Sequence, residues 1–189
     1  MADTPSQRVT VRPAQLADAE ALAVVHVAAW QGAYRGLMPD DYLDQMDVAR
    51  WTDGWRRMLT EHAAPLVGLV GDEVQGFVGV GPLRDPVEVA APDEDPGLVV
   101  GELYAINVHP RAWGRGVGPA LLAAGEAELR RLGFAEAVLW VLPANARARH
   151  FYERCGWADD RAERTAEVNG VTVPERRYTK RWGQPSTTR

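Results

Sequence analysis

Three glycines at alternate positions, Gly114, Gly116 and Gly118, follow an apolar stretch that ends at Val108. Glycine adopts positive φ and lets the backbone approach a ligand closely, so successive N–H groups can converge on an anion. The run after Gly118, PALLAAGEAELRRLG, has the periodicity of an amphipathic helix, whose first-turn N–H groups and dipole favour negative charge. The segment is therefore typical of a phosphate-binding turn, or of a tight strand-to-helix corner without a ligand.

Two common phosphate-binding motifs fit this turn poorly. A P-loop carries Lys and then Ser or Thr directly after its last glycine, where this chain has Pro119 and Ala120. A dinucleotide fingerprint needs a third glycine where Leu121 stands, and no acidic residue closes a following strand. The nucleotide-binding classes that use these motifs are therefore disfavoured.

Glu102 lies within the apolar stretch 98–108, whose period-two pattern predicts a strand that leads into the glycine turn. A carboxylate in such a strand costs free energy unless it is paired, hydrated or used. A partly desolvated carboxylate is also a stronger proton acceptor, which suits a general base for an amine. Glu102 is therefore either a candidate base or a structural glutamate paired with an arginine.

A second candidate segment, 143–157, reads PANARARHFYERCGW and predicts a short helix. Asn145 is a good N-cap, and Gly156 fits the position that follows a helix end. Tyr152 could donate a hydrogen bond to a leaving thiolate, for which the thiol pKa is about 8.5. The alternative role for Tyr152 is that of a half-buried packing residue.

These segments resemble motifs A and B of the GCN5-related N-acetyltransferases (GNAT). In motif A, Q/R-x-x-G-x-G/A, Gly116 and Gly118 take the two small positions, and Trp113 stands where the family usually has Gln or Arg. The family has an acidic residue eleven positions before that Gln or Arg, and Glu102 lies eleven before Trp113. Motif B, N-x-x-A-x-x-F/L-Y-x-x-x-G-F, is matched by Asn145, Ala148, Phe151, Tyr152, Gly156 and Trp157.

The resemblance implies acetyl-CoA as co-substrate, without a metal. Glu102, directly or through water, would remove the amine proton, and Tyr152 would lie near the thioester sulfur. Backbone N–H groups of the central strand would polarise the thioester carbonyl, and Asn145 would contact the pantetheine arm. The implied cofactor-binding residues are Ile106, Asn107, Val108, Trp113, Gly114, Arg115, Gly116, Val117, Gly118, Pro119, Asn145 and Tyr152.

Trp113 and Pro119 both affect how the turn would hold a pyrophosphate. The family's phosphate contacts are mostly to the backbone, so Trp113 is expected to change the packing of the loop rather than abolish binding. Pro119 lacks an N–H group, but at the first helical position that donor would have no intrahelical partner.

The implied reaction is direct transfer of an acetyl group to the primary amine of a small molecule. Two alternatives remain open: an acetyltransferase of protein or peptide amines, and a GNAT-fold sensor that binds coenzyme A without turnover. Loops around 30–39 and 82–97 favour a small acceptor. The second loop carries five carboxylates and is expected to be mobile, or to line the entrance for a cationic acceptor. The acceptor itself is not identified by the sequence.

Length and composition suit one globular domain, with 189 residues of which 46% are hydrophobic and 25% charged. A net charge of −5 disfavours nucleic-acid binding. No signal peptide or membrane-spanning run is recognisable, and a single cysteine excludes an internal disulfide. Both observations favour a cytoplasmic protein. Four scattered histidines give no metal-ligand spacing. A homodimer is compatible with the sequence, which leaves the oligomeric state open.

His26 and Cys155 carry reactive side chains but fit packing roles. His26 lies beside the apolar stripe of a helix predicted to start after Asp18, and a packed residue at the core edge is favoured over a catalytic one. Gly32, Gly36 and Pro39 are predicted to break the helical pattern at the end of this helix. Cys155 stacks one helical turn after Phe151 and is interpreted as a small core residue.

The predicted fold class is α/β (α+β), a GNAT-like single domain over 1–189 with frayed ends at 1–7 and 183–189. A mixed, twisted sheet of about six to seven strands is expected, with about four helices and hairpins at 65–81 and 164–182. The resemblance implies that two central parallel strands splay apart after Glu102. In the helix after the glycine turn, Leu132 is expected in the buried stripe and Glu126 on the solvent side.

Overall fold

The structure, a computed structural model, describes residues 8–84, 99–168 and 170–182. Its strands are β1 (Val9–Pro13), β2 (Leu66–Val70), β3 (Glu73–Pro82), β4 (Val100–Val108), β5 (Glu136–Val141), β6 (Ala158–Val168) and β7 (Val171–Arg181). Its α-helices are α1 (Ala19–Tyr34), α2 (Asp40–Asp44), α3 (Val48–Glu61), α4 (Val117–Arg131) and α5 (Ala146–Arg154). Short 3-10 turns, Leu16–Asp18 and Pro110–Ala112, precede α1 and α4.

The seven strands form one mixed sheet in the order β1-β2-β3-β4-β5-β7-β6. β4 and β5 are parallel, whereas β2–β3 and β6–β7 are antiparallel hairpins. This arrangement confirms the predicted α/β class and both hairpins, with five α-helices where about four were expected. The register of β4 with β5 runs from Val100 to Glu102. The two parallel strands therefore part after Glu102, as the resemblance implied.

The chain divides into two compact units, Met1–Gly79 with Ala105–Gly125, and Val80–Tyr104 with Glu126–Arg189. The described part of the first unit has a core of Ala14, Leu22, Val25, Val67, Leu69 and Phe77. In the second unit the buried side chains include Leu129, Val138, Leu139 and Tyr178. A single domain over the whole chain stays a prediction, and the ends expected to fray, 1–7 and 183–189, lie outside the described residues.

Helix α1 continues through Gly32 to Tyr34, so the predicted break is wrong at Gly32, whereas Gly36 and Pro39 lie between α1 and α2 as predicted. A Cβ atom at Gly32 would lie 2.9 Å from Cγ of Pro110 and 3.1 Å from Cη2 of Trp113. The glycine therefore serves a close approach of two side chains to the helix surface, which sequence periodicity does not reveal. Asp18 precedes α1 as predicted, but its carboxylate binds Arg12 instead of capping the helix.

Two positions on α4 are the reverse of the expectation. Leu132 is 46% exposed and lies one residue beyond the end of α4 at Arg131. Glu126 is buried and accepts hydrogen bonds from Nε1 of Trp157 at 2.9 Å and from Nζ of Lys180 at 2.8 Å. A buried carboxylate with such partners is compatible with a core position, whereas helical periodicity alone assigned it to solvent.

The acidic loop predicted over 82–97 lies outside the described residues from position 85 onwards, so neither its predicted mobility nor its role at an entrance is tested. Among the helices in the described ranges, none is both long and apolar enough to cross a membrane.

Candidate functional site

The glycine turn connects the end of β4 to α4 within the first unit. Gly114 and Gly116 have φ values of +74° and +85°, which residues with a Cβ rarely adopt. The turn closes with a hydrogen bond from the Ala120 N–H to the Gly116 carbonyl at 3.1 Å. The first-turn N–H groups of Val117 and Gly118 therefore have no partner inside the helix, which makes this end of α4 suitable for an anion.

His109 fixes the entry to this turn. Its backbone N–H donates to the Gln75 carbonyl at 2.8 Å, and its Nδ1 accepts from the Arg111 N–H at 3.2 Å. Burial lowers the pKa of His109, and the positive charge of Arg111 lowers it further. The imidazole is therefore neutral and caps the 3-10 turn, so it is part of the scaffold that holds the glycine turn against β3.

Trp113 links three parts of the first unit. Its indole Nε1 donates to the Val108 carbonyl at 2.8 Å, and its six-membered ring packs on α1 at Gly32. Its side chain therefore belongs to the packing of the loop, where the family usually places a polar side chain. Ile106, Asn107 and Val108 form the end of β4 just before the turn.

Glu102 lies in the second unit and is only 2% exposed. Its Oε1 accepts from Nε of Arg84 at 3.0 Å and from Nη2 at 2.5 Å, and its Oε2 accepts from the Arg84 backbone N–H at 3.0 Å. These contacts match the alternative of a glutamate paired with an arginine. They do not test the role as general base, which stays a prediction.

Arg84 and Tyr104 are neighbours of Glu102 that the sequence analysis did not assign to the site. The guanidinium lies 4.8 Å from the centre of the Tyr104 ring, and the Tyr104 hydroxyl donates to the Pro82 carbonyl at 2.6 Å. Burial raises the pKa of Tyr104, the charge of Glu102 raises it further, and Arg84 opposes this rise. The alternation of side chains along β4 places Glu102 and Tyr104 on one face of the strand. It does not indicate which of the 21 lysines and arginines pairs with Glu102.

Helix α5 carries the other two predicted residues of the second unit. The Asn145 side chain caps the helix, because its Oδ1 accepts from the Ala148 N–H at 3.1 Å. Its Nδ2 is thus the group that remains suited to a ligand. Tyr152 is 6% exposed and its ring contacts Phe151, Trp157 and Tyr178. The contribution of these two residues to cofactor binding stays a prediction.

His26 and Cys155 both have features of packing residues. The His26 ring centre lies 3.9 Å from that of Trp51, and its two buried nitrogens have no hydrogen-bond partner among the described residues. Burial lowers the pKa of His26 to about 4, so the ring is neutral near pH 7. Burial also raises the pKa of the Cys155 thiol, as does the charge of Glu126, which disfavours a thiolate nucleophile. Within the ranges that the structure describes, no three His, Cys, Asp or Glu side chains are grouped to hold a metal ion.

The sequence model of the acetyltransferase (GNAT) family matches residues 27–157, which include the glycine turn and the whole segment 143–157. The chain belongs to the GNAT family. This GNAT protein is 34% identical over 171 residues to the N-acetyltransferase YuaI of Bacillus subtilis, an alignment that covers 88% of this chain and 90% of YuaI. It is therefore an acetyl-CoA-dependent acyltransferase.

Two further similarities are to a curated enzyme and to a solved structure. A mycothiol acetyltransferase of Cellulomonas flavigena is 46% identical over 124 residues, which are 66% of this GNAT chain but 32% of that enzyme. The chain thus spans about a third of that relative. The structure of the PaiA N-acetyltransferase from Thermoplasma acidophilum in complex with coenzyme A superposes with a TM-score of 0.64 at 16% identity, covering 93% of this chain and 99% of that one. At this identity the likeness supports the fold.

The contact of Gly32 with Trp113 predicts an unusual result for Gly32→Ala. In a helix interior this change normally stabilises by about 1 kcal/mol. Here the added methyl group would overlap Pro110 and Trp113, so we expect a loss of about 1–2 kcal/mol in the free energy of unfolding. Displacement of the indole should also weaken coenzyme A binding several-fold in isothermal titration calorimetry.

The matched control is Gly54→Ala in α3, where a Cβ meets no atom within 4 Å. Equal behaviour of the two variants would contradict the prediction.

Proposed function

We propose that this GNAT acetyltransferase transfers the acetyl group of acetyl-CoA directly to the primary amine of a small molecule. The observation that carries the proposal is the position of Glu102, a buried carboxylate on the last residue of β4 that pairs with parallel β5. Beyond Glu102 the backbone groups of β4 are no longer bound to β5, so they can serve a substrate. A carboxylate at this point suits proton removal from an amine.

The glycine turn is the proposed seat of the pyrophosphate. A Cβ placed at Gly114 or Gly116 would meet no atom within 4 Å, so there is open space beside the backbone at both positions. The N–H groups of Gly116, Val117 and Gly118 would donate to phosphate oxygens, and the guanidinium of Arg115 adds positive charge beside them. Because the indole of Trp113 is hydrogen-bonded to the Val108 carbonyl, most of the contacts to the pyrophosphate would come from the backbone.

The remaining roles follow the chemistry of acetyl transfer. The amine nitrogen forms a bond to the thioester carbonyl carbon while the carbon–sulfur bond breaks. Glu102 accepts the amine proton, directly or through a water molecule, on a lone pair that the three N–H donors of Arg84 do not use. Backbone N–H groups of Ile106 to Val108 stabilise the developing negative charge on the carbonyl oxygen, and Tyr152 protonates the leaving thiolate.

The preference for a small acceptor is supported by the 46% identity with a mycothiol acetyltransferase. The direct test is incubation of the purified protein with acetyl-CoA and a panel of small primary amines, with release of free thiol as the readout and mass spectrometry of the acceptor. We expect thiol release that depends on the amine and equals the amount of acetylated product. Acetylation of peptide amines alone, or no amine-dependent release, would contradict the proposal.

Ligand binding provides an independent test of the co-substrate. Because a ligand that binds only the native state raises the melting temperature, acetyl-CoA and free CoA should both stabilise the protein. ATP and NAD, which lack the pantetheine arm, should stabilise it far less at the same concentration. A similar shift with all four compounds would indicate general anion binding at the glycine turn.

A further inference from the structure

Arg84 is held unusually firmly for a side chain that is 54% exposed. Its backbone N–H and its guanidinium both donate to Glu102, and its guanidinium lies over the ring of Tyr104. The Tyr104 hydroxyl in turn binds the carbonyl of Pro82, two residues before Arg84. Much of the conformational entropy of this arginine is therefore lost in the folded protein before any ligand binds.

The pairing with Glu102 uses one edge of the guanidinium, the edge formed by Nε and Nη2. A guanidinium has five N–H groups in a planar fork, so the second N–H of Nη2 and one N–H of Nη1 form another parallel pair. Such a pair matches the two oxygens of a carboxylate. Among the described residues the contacts of Arg84 are with Glu102 and Tyr104, which leaves this second edge for a ligand.

The position of Arg84 connects this edge to the proposed reaction. Glu102, its direct partner, is the residue at which β4 and β5 part. A carboxylate bound to the second edge of Arg84 is therefore separated from the proposed general base, Glu102, by a single guanidinium group. In an α-amino acid the amine is attached to the carbon that bears the carboxylate, so one small molecule can satisfy both groups.

We propose that Arg84 binds the carboxylate of the acceptor, and that the acceptor is a small amine of the α-amino acid class. This inference rests on the proposed function, because it places the acceptor amine near Glu102. It assigns Arg84 a binding role in addition to its pairing with Glu102. The guanidinium then lies between two carboxylates, those of Glu102 and of the acceptor, and the ammonium group of the incoming amino acid supplies the second positive charge until Glu102 takes its proton.

The test compares the common L-α-amino acids with their primary amides, first in binding by ligand-observed NMR in the presence of CoA. We expect at least one amino acid to bind the unchanged protein about 10- to 100-fold more tightly than its amide. In Arg84→Met this ratio should approach one. Arg84→Lys, which keeps the charge but loses the fork, should give an intermediate ratio and covers the case in which the Met variant does not fold.

The matched control is Arg181→Met. Arg181 also pairs with a buried glutamate, Glu136, through Nε at 2.7 Å, and its side chain is 50% exposed, but Glu136 is paired with Val100 rather than with the residue where the strands part. We expect this variant to keep the ratio of the unchanged protein. Equal binding of acids and amides, no binding of any amino acid, or the same ratio in the Met variants of both arginines would overturn the proposal.

Measurements of turnover distinguish a failure of this inference from a failure of the proposed function. The ratio of kcat/KM for an amino acid to that for its amide should fall in Arg84→Met as the binding ratio does. If the protein acetylates amides and amino acids equally well, the role of Arg84 is wrong and the acetyltransferase assignment stands. If it acetylates no amine but binds carboxylates through Arg84, the proposed reaction fails and the binding site remains.

Discussion

Replacement of Glu102 by Gln is expected to lower kcat for acetyl transfer by about 10²- to 10⁴-fold, the range that general base catalysis contributes. Gln has nearly the shape of Glu, so the β4 backbone should be largely kept, but its amide nitrogen cannot accept, so part of the hydrogen bonding from Arg84 is lost. The amide cannot accept the amine proton at any accessible pH. Steady-state kinetics at saturating acetyl-CoA, together with calorimetry of CoA binding, would measure the loss and show that the co-substrate still binds.

The control for Glu102→Gln is Glu136→Gln. Both glutamates are buried on neighbouring strands and both pair with a half-exposed arginine, so the two variants should lose similar stability. Only the variant at Glu102 should lose kcat. An increase in KM without a fall in kcat would instead mean that Glu102 acts by holding Arg84, because such a change reports lost substrate binding. Comparable kcat losses in both variants would reject the base role.

Local features of the site could be predicted from the sequence, because they depend on residues close together in the chain. Asn145 caps α5, and Gly114 and Gly116 adopt positive φ. Glu102 in an apolar strand had to be paired or used, and it is paired. In each case the backbone geometry or the cost of burial restricts the residue type, so the pattern carries the information.

The remaining features depend on partners distant in sequence. Arg84 precedes Glu102 by 18 residues, and Lys180 follows Glu126 by 54. Helical periodicity assigned Glu126 to solvent because it cannot detect a lysine that another strand supplies. Gly32 was interpreted as a helix break for the same reason, since the side chains that pack on it come from the turn before α4.

His26 predicts the strongest pH effect on stability. Its folded-state pKa of about 4 lies below the ordinary value of 6.5, so the unfolded chain binds a proton more readily between these two values. The stability that neutral His26 provides is therefore complete above pH 6.5 and is lost as the pH falls towards 4. The difference of about 2.5 pKa units corresponds to roughly 3 kcal/mol.

The cause of this effect is the aromatic surroundings of His26. Trp30, Trp51, Trp55 and Phe77 lie against the imidazole, with ring centres between 3.9 and 5.9 Å away. Within the part of the chain that the structure describes, neither ring nitrogen has a hydrogen-bond partner, so a protonated ring would bury a charge without compensation. The His26→Phe variant keeps an aromatic ring and removes the titrating group, as well as two unsatisfied polar atoms.

The free energy of unfolding of His26→Phe should therefore be within about 1 kcal/mol of the unchanged protein at pH 7.5 and exceed it increasingly below pH 6.5. Urea unfolding followed by circular dichroism at half-unit pH steps would measure both curves. Carboxylates also titrate in this range, but they are common to both proteins, so the difference between the curves isolates His26. The control is His62→Gln, which removes an exposed histidine and leaves the aromatic cluster around His26 unchanged. Parallel curves for the His26 variant and the unchanged protein would contradict the prediction, because they would mean that the pKa of His26 is the same in the folded and the unfolded state.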